Sequence, residues 1–380
     1  MKVLFVTKGG YKPSGGAQRA SRRWYDEISK LVECHLITDQ PENPKPAWRD
    51  FSLSGPMGYL RSCLLLTKKV FHVAKEVKPD LIHIQSYTGY VVRPPRFIPS
   101  VVTLHDEPDF RVNDWVSPLF ARVYSRMLGT SESFFRNLML SRHPAIHAVG
   151  QSIKTQLIDM GFPSSKIRVI PNGFPAPPTE AVRLSKEKLM RYLSLPLDSQ
   201  LVLTVGNICF RKAAHKILLL AQRVQNSHPD VHFLIVGSKD SPLEQAYVSR
   251  LLEWRKKHHI NNFHLLGYVG NEVLDSLFHH SDMYLSSSLS EACNLALMEA
   301  AVQGLPIVST DVGAARELFE PEGTIIPRNC SVKDLENAVI DSLGVNRNIT
   351  YNKIKSNSWP DVAQKVVEYY DFIIESGMET

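Results

Sequence analysis

The sequence predicts an α/β protein of two domains, each built on a mainly parallel sheet. Three observations predict it. The chain has 380 residues, too many for one ordinary core and a good length for two domains. Short runs rich in Val, Ile and Leu alternate with longer stretches of helical apolar spacing, which is the pattern of βαβ units. At 171–180 the segment PNGFPAPPTE breaks that alternation with turn residues and four prolines, and reads as a linker between two such halves.

In the first half, Lys2 to Thr7 is a short apolar strand. It runs into KGGYKPSGGAQ, too rich in Gly and Pro to be regular, before helical periodicity begins at Ala17 and continues to Leu31. A glycine-rich turn between a strand and a helix, here at Gly15 and Gly16, lets backbone approach a phosphate or a sugar. Its spacing matches neither the dinucleotide fingerprint nor a Walker loop, so a plain tight turn fits it as well. Further strands are predicted at Cys34–Thr38, Leu81–Ile84, Val101–Leu104, Ala145–Val149 and Ile167–Ile170, with a helix over Leu60–Val77. In such sheets ligands bind beyond the carboxyl ends of strands, where His105 and Asp106 follow VVTL. A lone histidine in that place is also an ordinary core residue. His143 and His147 have helical spacing, but Pro144 breaks the helix that would align them on a metal. Phe110 to Arg142 interleaves aromatics with arginines, which suits a core with a solvated basic face or a surface that grips an anion.

The second half repeats the logic. Strands are predicted at Leu201–Val205, His232–Val236 and Phe263–Leu266, and helices at Ala214–Gln225 and Leu243–His258. The turn between Val205 and Ala214 carries Arg211 and Lys212 beside a helix start, a fork of donors and a point charge suited to a diphosphate, or simply two solvated cations.

The densest signal is YLSSSLSEACNLALMEAAVQGLPIVSTD, Tyr284 to Asp311. Met283 to Leu285 ends a strand, Ser286 to Ser290 forms a polar loop, Cys293 to Val302 has helical spacing, Gly304 closes the helix, and Pro306 to Val308 opens the next strand. Glu291 stands before that helix and Glu299 inside it. A helix start favours an anion. A diphosphate on the amides of Asn294 and Leu295 would leave Glu299 for a ribose and Glu291 for whatever the diphosphate carries. Charge pairing at the helix start and a solvated helix face explain the same two residues.

Bulk properties narrow the class. The composition, 43% hydrophobic and 22% charged, is that of a soluble globular protein. Five cysteines, Cys34, Cys63, Cys209, Cys293 and Cys330, show no metal-like pairing and are odd in number, which predicts reduced thiols in a cytoplasm-like compartment. MKVLFVT is too short an apolar run for a signal peptide, and no apolar segment is long enough for a membrane span. The net charge of +6 is unevenly spread: residues 1–172 carry 24 Lys and Arg against 14 Asp and Glu, while residues 173–380 carry 20 against 24. A basic first half suggests an anionic acceptor or membrane surface, or serves solubility alone.

Taken in order, SGGAQ, VVTLHD, AVGQSIKTQLIDMGFPSSKIRVIPNGF, VGNICFRK, FLIVG, the stretch FHLLGYVGNEVLDSLFHHSDMYLSSSLSEACNLALMEAAVQGLPIVSTDVGAARELF and SWPDVAQKVVEYY resemble the retaining nucleotide-sugar glycosyltransferases of family 4. The resemblance covers almost the whole chain, and its most specific part is the Glu291–Glu299 spacing with the downstream Gly-x-Pro. It implies the GT-B fold, two Rossmann-like domains facing across a cleft. The N-terminal acceptor domain is 1–172, the C-terminal donor domain 173–358, and a final helix, 359–380, packs back on the first. It implies that Gly15 and Gly16 approach the donor or acceptor, that His105 lines the reaction centre, that Lys212 with Arg211 binds the diphosphate, and that Tyr268 and Val269 lie near the base. Glu291 would contact the donor sugar, Asn294 and Leu295 would present amides, and Glu299 would bind the ribose. Three positions depart from the family pattern: Asn207 replaces a diphosphate arginine, Ala213 a glycine after the lysine, and Asn294 a glycine in the donor loop.

The resulting expectation is a cytoplasmic hexosyltransferase, with the inner face of the membrane as a further location and with His105, Lys212 and Glu291 as its catalytic residues. The co-substrate expected is a nucleotide sugar, UDP-linked by preference, with no other cofactor and no metal. The acceptor expected is a glycan, a lipid-linked or another small molecule, with no nucleic acid partner. A sugar-nucleotide epimerase or phosphorylase on the same fold, and a silent nucleotide-sugar-binding subunit, are the alternatives.

Overall fold

The computed structural model describes residues 1–7, 16–38, 56–85, 92–105, 145–176, 183–345 and 347–376, with backbone alone for 56–63. Gly15, the side chain of Cys63, the aromatic and arginine-rich stretch 110–142 and His143 lie outside the described residues. The described chain divides into two compact units, changing over between Gly173 and Phe174 and again between Ser356 and Asn357.

The first unit begins with β1 (Lys2–Thr7), α1 (Gly16–Ile28), β2 (Glu33–Thr38), α2 (Pro56–Val77), β3 (Leu81–Gln85), β4 (Ser100–Leu104), β5 (Ala145–Ala148), α3 (Gln151–Asp159) and β6 (Ile167–Val169). Its strands form one sheet in the order β2-β1-β3-β4-β5-β6, every neighbouring pair parallel. Strands β3, β4 and β5 are buried throughout. Helices cover both faces of a parallel sheet, which is why these strands read as unbroken apolar runs rather than alternating ones.

The second unit runs α4 (Lys186–Leu193), β7 (Gln200–Val205), α5 (Ala214–Val224), β8 (Val231–Val236), α6 (Pro242–Lys257), β9 (Phe263–Gly267), α7 (Asn271–His280), β10 (Met283–Ser286), α8 (Leu295–Val302), β11 (Ile307–Thr310), α9 (Ala315–Phe319), β12 (Thr324–Ile326), α10 (Val332–Leu343) and α11 (Lys353–Ser356). Its sheet is again all parallel, ordered β12-β11-β10-β7-β8-β9. Alternate strand residues feed two cores. Val202, Phe233, Ile235 and Leu285 pack with α5, α6 and α10, while Leu201, Leu203, Leu234 and Tyr284 pack with α4, α7, α8 and α9.

The chain then returns to the first unit with α12 (Trp359–Glu375). Ser358 caps it: its hydroxyl accepts from Asp361 N, and the Asp361 side chain answers to the Ser358 backbone. Trp359 meets Trp24 edge-on at 5.2 Å, and the Tyr369 hydroxyl donates to Lys166 O at 3.3 Å. Gly173 has no room for a side chain there, since a Cβ would stand 2.4 Å from Trp359 Cα.

Strand order decides where a ligand can go. In the second sheet the chain steps outward from β7 to β9, then returns to lay β10 on the other side of β7. The loops after β7 and β10 therefore diverge at a topological switch point, the usual ligand crevice of an open parallel sheet. Helix α1 ends at Ile28 rather than Leu31 and α2 starts at Pro56 rather than Leu60, and one boundary beside the switch point also differs from the sequence expectation. Helix α8 starts at Leu295 rather than Cys293, because Asn294 stays extended (φ −77°, ψ 103°) as its N-cap.

Candidate functional site

The loop after β7 is shaped by glycine. Gly206 has φ +150°, and Gly237, which follows β8, has φ +158°. A Cβ on Gly237 would lie 1.9 Å from Gly206 O, so the two loops close on each other only because Gly237 carries no side chain. Beyond Gly206 the chain makes a short 3-10 turn over Phe210–Lys212 and enters α5 through Ala213, which is left-handed at φ +52°. Glycine adopts that conformation freely, whereas Ala213 holds it at some cost in strain.

Ala213 cannot cap α5 with a side chain. The Tyr247 hydroxyl, from α6, does so by accepting from His215 N at 2.9 Å. His215 in turn stacks flat on Phe210 with ring centroids 5.1 Å apart. The turn bearing Arg211 and Lys212 is thus clamped from below.

The loop after β10 is stitched onto that turn. Leu289 N donates to Arg211 O at 2.8 Å, and the Ser287 hydroxyl lies 3.2 Å from both Lys212 O and Ala213 O. Thr310, ending β11, donates to Ser288 O at 2.6 Å. Gly313, φ +59°, lets the next loop press on Glu291 and Ala292, where a Cβ would come within 2.6 Å of Glu291 O.

These contacts bring Arg211, Lys212 and Glu291 together. Glu291, only 7% exposed, places Oε1 2.6 Å from Lys212 Nζ and Oε2 2.9 Å from Arg211 Nη1, and accepts from the Ser288 hydroxyl at 2.8 Å. Burial by itself would raise its proton affinity. The charges of Arg211 and Lys212, with hydrogen bonds from Lys212 and Ser288, outweigh that and hold its pKa down at about 2. Glu291 is an anion at any physiological pH, and it balances two cations at the switch point.

Beside the cluster, Asn294 and Leu295 open α8, whose first amides have no partner within the helix. Asn294 makes no side-chain cap. Glu299 is half-buried one turn along α8. Underneath, burial keeps the Tyr284 hydroxyl protonated, helped by the charges of Glu299 and Glu291, although its bond to Val205 works the other way. Tyr268, 82% exposed, and buried Val269 follow β9 at the sheet edge, two strands from β7.

In the first unit, His105 ends β4 and is 7% exposed. Its Nε2 donates to Gln85 Oε1 at 2.8 Å. Its Nδ1 is buried and has no hydrogen-bond partner among the described residues. Burial, then the nearby His147, pushes its pKa down to about 3. Gly16 starts α1, and a Cβ there would meet nothing within 4 Å. Four residues of the two sites, Ser287, Ser288, Tyr284 and Gln85, are not singled out as site residues by the sequence. A serine three residues before Glu291 is a usable signal; Gln85 offers none, because it ends a strand with no motif around it.

Among the described residues no three His, Cys, Asp or Glu side chains gather into a metal-ligand set, and no helix is long and apolar enough to cross a membrane.

A doubly wound unit with cations and a helix start at its switch point is suited to an anionic ligand. Residues 14–176 match the family described as Glycosyltransferase Family 4, and residues 185–358 the family described as Glycosyl transferases group 1. Between them these matches place the chain among the family 4 type of glycosyltransferases. The phosphatidylinositol N-acetylglucosaminyltransferase GPI3 subunit of Saccharomyces cerevisiae is 29% identical over 219 residues, 54% of this chain and 45% of that protein. A putative teichuronic acid biosynthesis glycosyltransferase, TuaC of Bacillus subtilis, is 25% identical over 290 residues, 75% of this chain and 65% of that one. The match thus spans less than half the length of the yeast relative. The crystal structure of HepE from Anabaena, in complex with UDP and glucose, shares the GT-B fold at a TM-score of 0.62 and 20% identity, covering 99% of this chain and 98% of that one.

Proposed function

We propose that this protein transfers a sugar from a UDP-linked donor to an acceptor, with retention of anomeric configuration and without a bound metal. The observation that carries the proposal is the Glu291 carboxylate bridging Arg211 and Lys212 beside the start of α8. Two cations facing one carboxylate have charge to offer an incoming diphosphate. In this reading the diphosphate shares Lys212 and Arg211 with Glu291 and lies along the amides of Asn294 and Leu295. Glu291 is then free to accept from sugar hydroxyls, and Glu299 takes the ribose.

As the glycosidic bond to the diphosphate breaks, charge grows on the leaving oxygen. Lys212, Arg211 and the helix start stabilise it, and the diphosphate helps take the acceptor's proton on the same face. Asn207 adds no charge where the family has an arginine, so Arg211 supplies it. His105, Gly15 and Gly16 serve the acceptor side, and Tyr268 and Val269 the base. The complex of HepE with UDP and glucose supports UDP as the donor base.

An anionic lipid or polymer is the acceptor class favoured by the basic excess of residues 1–172 and by the names of the yeast and Bacillus relatives. Helix α2 exposes Leu64, Leu65 and Phe71 with Lys68 and Lys75, which suits contact with an anionic membrane. Sedimentation with phosphatidylglycerol vesicles, absent with phosphatidylcholine, is the expected result.

The decisive assay incubates the protein with UDP-, GDP- and ADP-sugars, with EDTA present, and follows release of nucleoside diphosphate with acceptor lipids. Lys212→Ala should lower turnover by about a hundredfold, the loss typical of one well-placed charge donor. Unchanged turnover in that variant, or epimer formed without acceptor, would overturn the proposal.

A further inference from the structure

We infer that Gln85 is the positioning residue of His105: it fixes the ring and decides which nitrogen is left to meet a ligand. This rests on the transferase reading for its purpose but not for its geometry.

The register of the first sheet sets Gln85 of β3 opposite Thr103 of β4, two residues before His105. Gln85 is 1% exposed, and its Oε1 stands 2.8 Å from His105 Nε2. The Ser21 hydroxyl of α1 lies 3.4 Å from the same nitrogen, and since that hydroxyl donates to Ala17 O at 2.9 Å, its oxygen presents a lone pair. Both of these neighbours of Nε2 are acceptors, so Nε2 keeps the proton. The bare lone pair falls on Nδ1, which is buried and has no partner among the described residues. A buried acceptor of this kind calls for a donor, and a ligand hydroxyl is one.

Gln85 is itself held in place. Its Nε2 lies 2.7 Å from His83 Nε2 and 3.4 Å from Thr103 Oγ1. His83 Nδ1 meets the Tyr370 hydroxyl of α12. Thr103 Oγ1 also lies 2.9 Å from His147 Nδ1, and His147 Nε2 donates to Ile170 O at 2.7 Å. A continuous polar chain therefore runs from the last helix to His105.

An amide serves here where a carboxylate would not. It orients the imidazole without adding charge, and the titratable groups facing His105 among the described residues are the imidazoles of His83 on β3 and His147 on β5. Burial and His147 keep His105 neutral until about pH 3. An imidazole so reluctant to take a proton is a poor general base at neutral pH, so its task is to accept a hydrogen bond from a sugar or acceptor hydroxyl and orient it.

The test uses the full-length protein, labelled with nitrogen-15, and long-range proton–nitrogen correlation spectra across pH, with His105→Ala to assign the ring. Wild type should show His105 in a single Nε2–H form, still neutral at pH 5. Gln85→Leu should give mixed ring forms. Gln85→Glu, nearly the same size and so the safer fold, should raise the His105 titration by at least about one pH unit, as an adjacent carboxylate does. In the transfer assay Gln85→Leu should lower kcat about tenfold with donor KM nearly unchanged, the mark of a lost orienting contact, and Gln85→Glu should move the acid limb of the pH profile upward. An unchanged ring form in Gln85→Leu together with an unchanged titration in Gln85→Glu overturns the assignment. If the spectra behave as described but wild type transfers no sugar, the transferase reading fails and the assignment of Gln85 stands.

Discussion

The two units share a plan, six parallel strands with chemistry at their carboxyl ends, yet they handle charge in opposite ways. The second buries a carboxylate between two cations and keeps all three ionised. The first buries His83, His105 and His147 with no counter-charge among the described residues and strips them of their protons. Burying an ion is tolerable only with a partner, whereas a neutral imidazole needs only hydrogen bonds. The two units therefore suit different ligand chemistry: charge fits an anion in the second, and lone pairs and donors fit hydroxyls in the first.

Acid should break the contrast most strongly. His105 and His147, with folded pKa values of about 3 and 4, bind protons more readily when unfolded, near 6.5. Stability from this network is therefore complete above pH 6.5 and drains away as pH falls through about 4 for His147 and about 3 for His105. The loss should reach several kcal/mol in all, since each pH unit between the folded and unfolded values is worth about 1.4 kcal/mol. The Glu291 cluster has a depressed carboxylate, so its contribution is complete above pH 4.5 and lost only toward pH 2. Hydrogen exchange at pH 5 should show β3 and β4 loosened while residues 287–294 stay protected. His215, held down to about 4 by burial and Lys216, gives the second unit a weaker counterpart.

Removing the anion from the charged cluster comes next. Glu291→Ala leaves two cations facing each other and should lower unfolding stability by about 3 kcal/mol in urea titrations, whereas Gln85→Ala in the neutral network should cost less. Gly237→Ala sharpens the comparison by disturbing only the backbone beneath the cations. With its Cβ driven against Gly206 O, it should cost about 2 kcal/mol in urea unfolding. The smallest expected effect is Tyr247→Phe, which removes the borrowed cap of α5 for about 1 kcal/mol, readable as a lowered melting temperature.

Much of this architecture was legible in the sequence. Buried parallel strands are continuous apolar runs, so β1, β3, β4 and β7 stand out within a residue or two of their observed ends. Short elements did not. The three residues of β12 and the five of α9 are too brief to establish a period, and they exist because the sheet and core already do. At the candidate site, Arg211, Lys212 and Glu291 were visible as charges in loops, and the structure adds that they touch. Ser287 and Thr310 were not visible, since a hydroxyl that stitches one loop to another depends on strand order, which local sequence does not carry. Gln85 was hidden for the same reason, its partner His105 lying one strand over.

Helix α12 has a consequence for how the protein is made. Trp359, Tyr369 and Tyr370 complete the core of the first unit but are encoded after the entire second unit. On the ribosome, which ordinarily lets the leading domain fold first, β1 to β6 must wait with Trp24 and His83 lacking their α12 contacts until the last helix emerges. The described residues of the second unit all lie between Phe174 and Ser356, ahead of α12, so it can fold sooner.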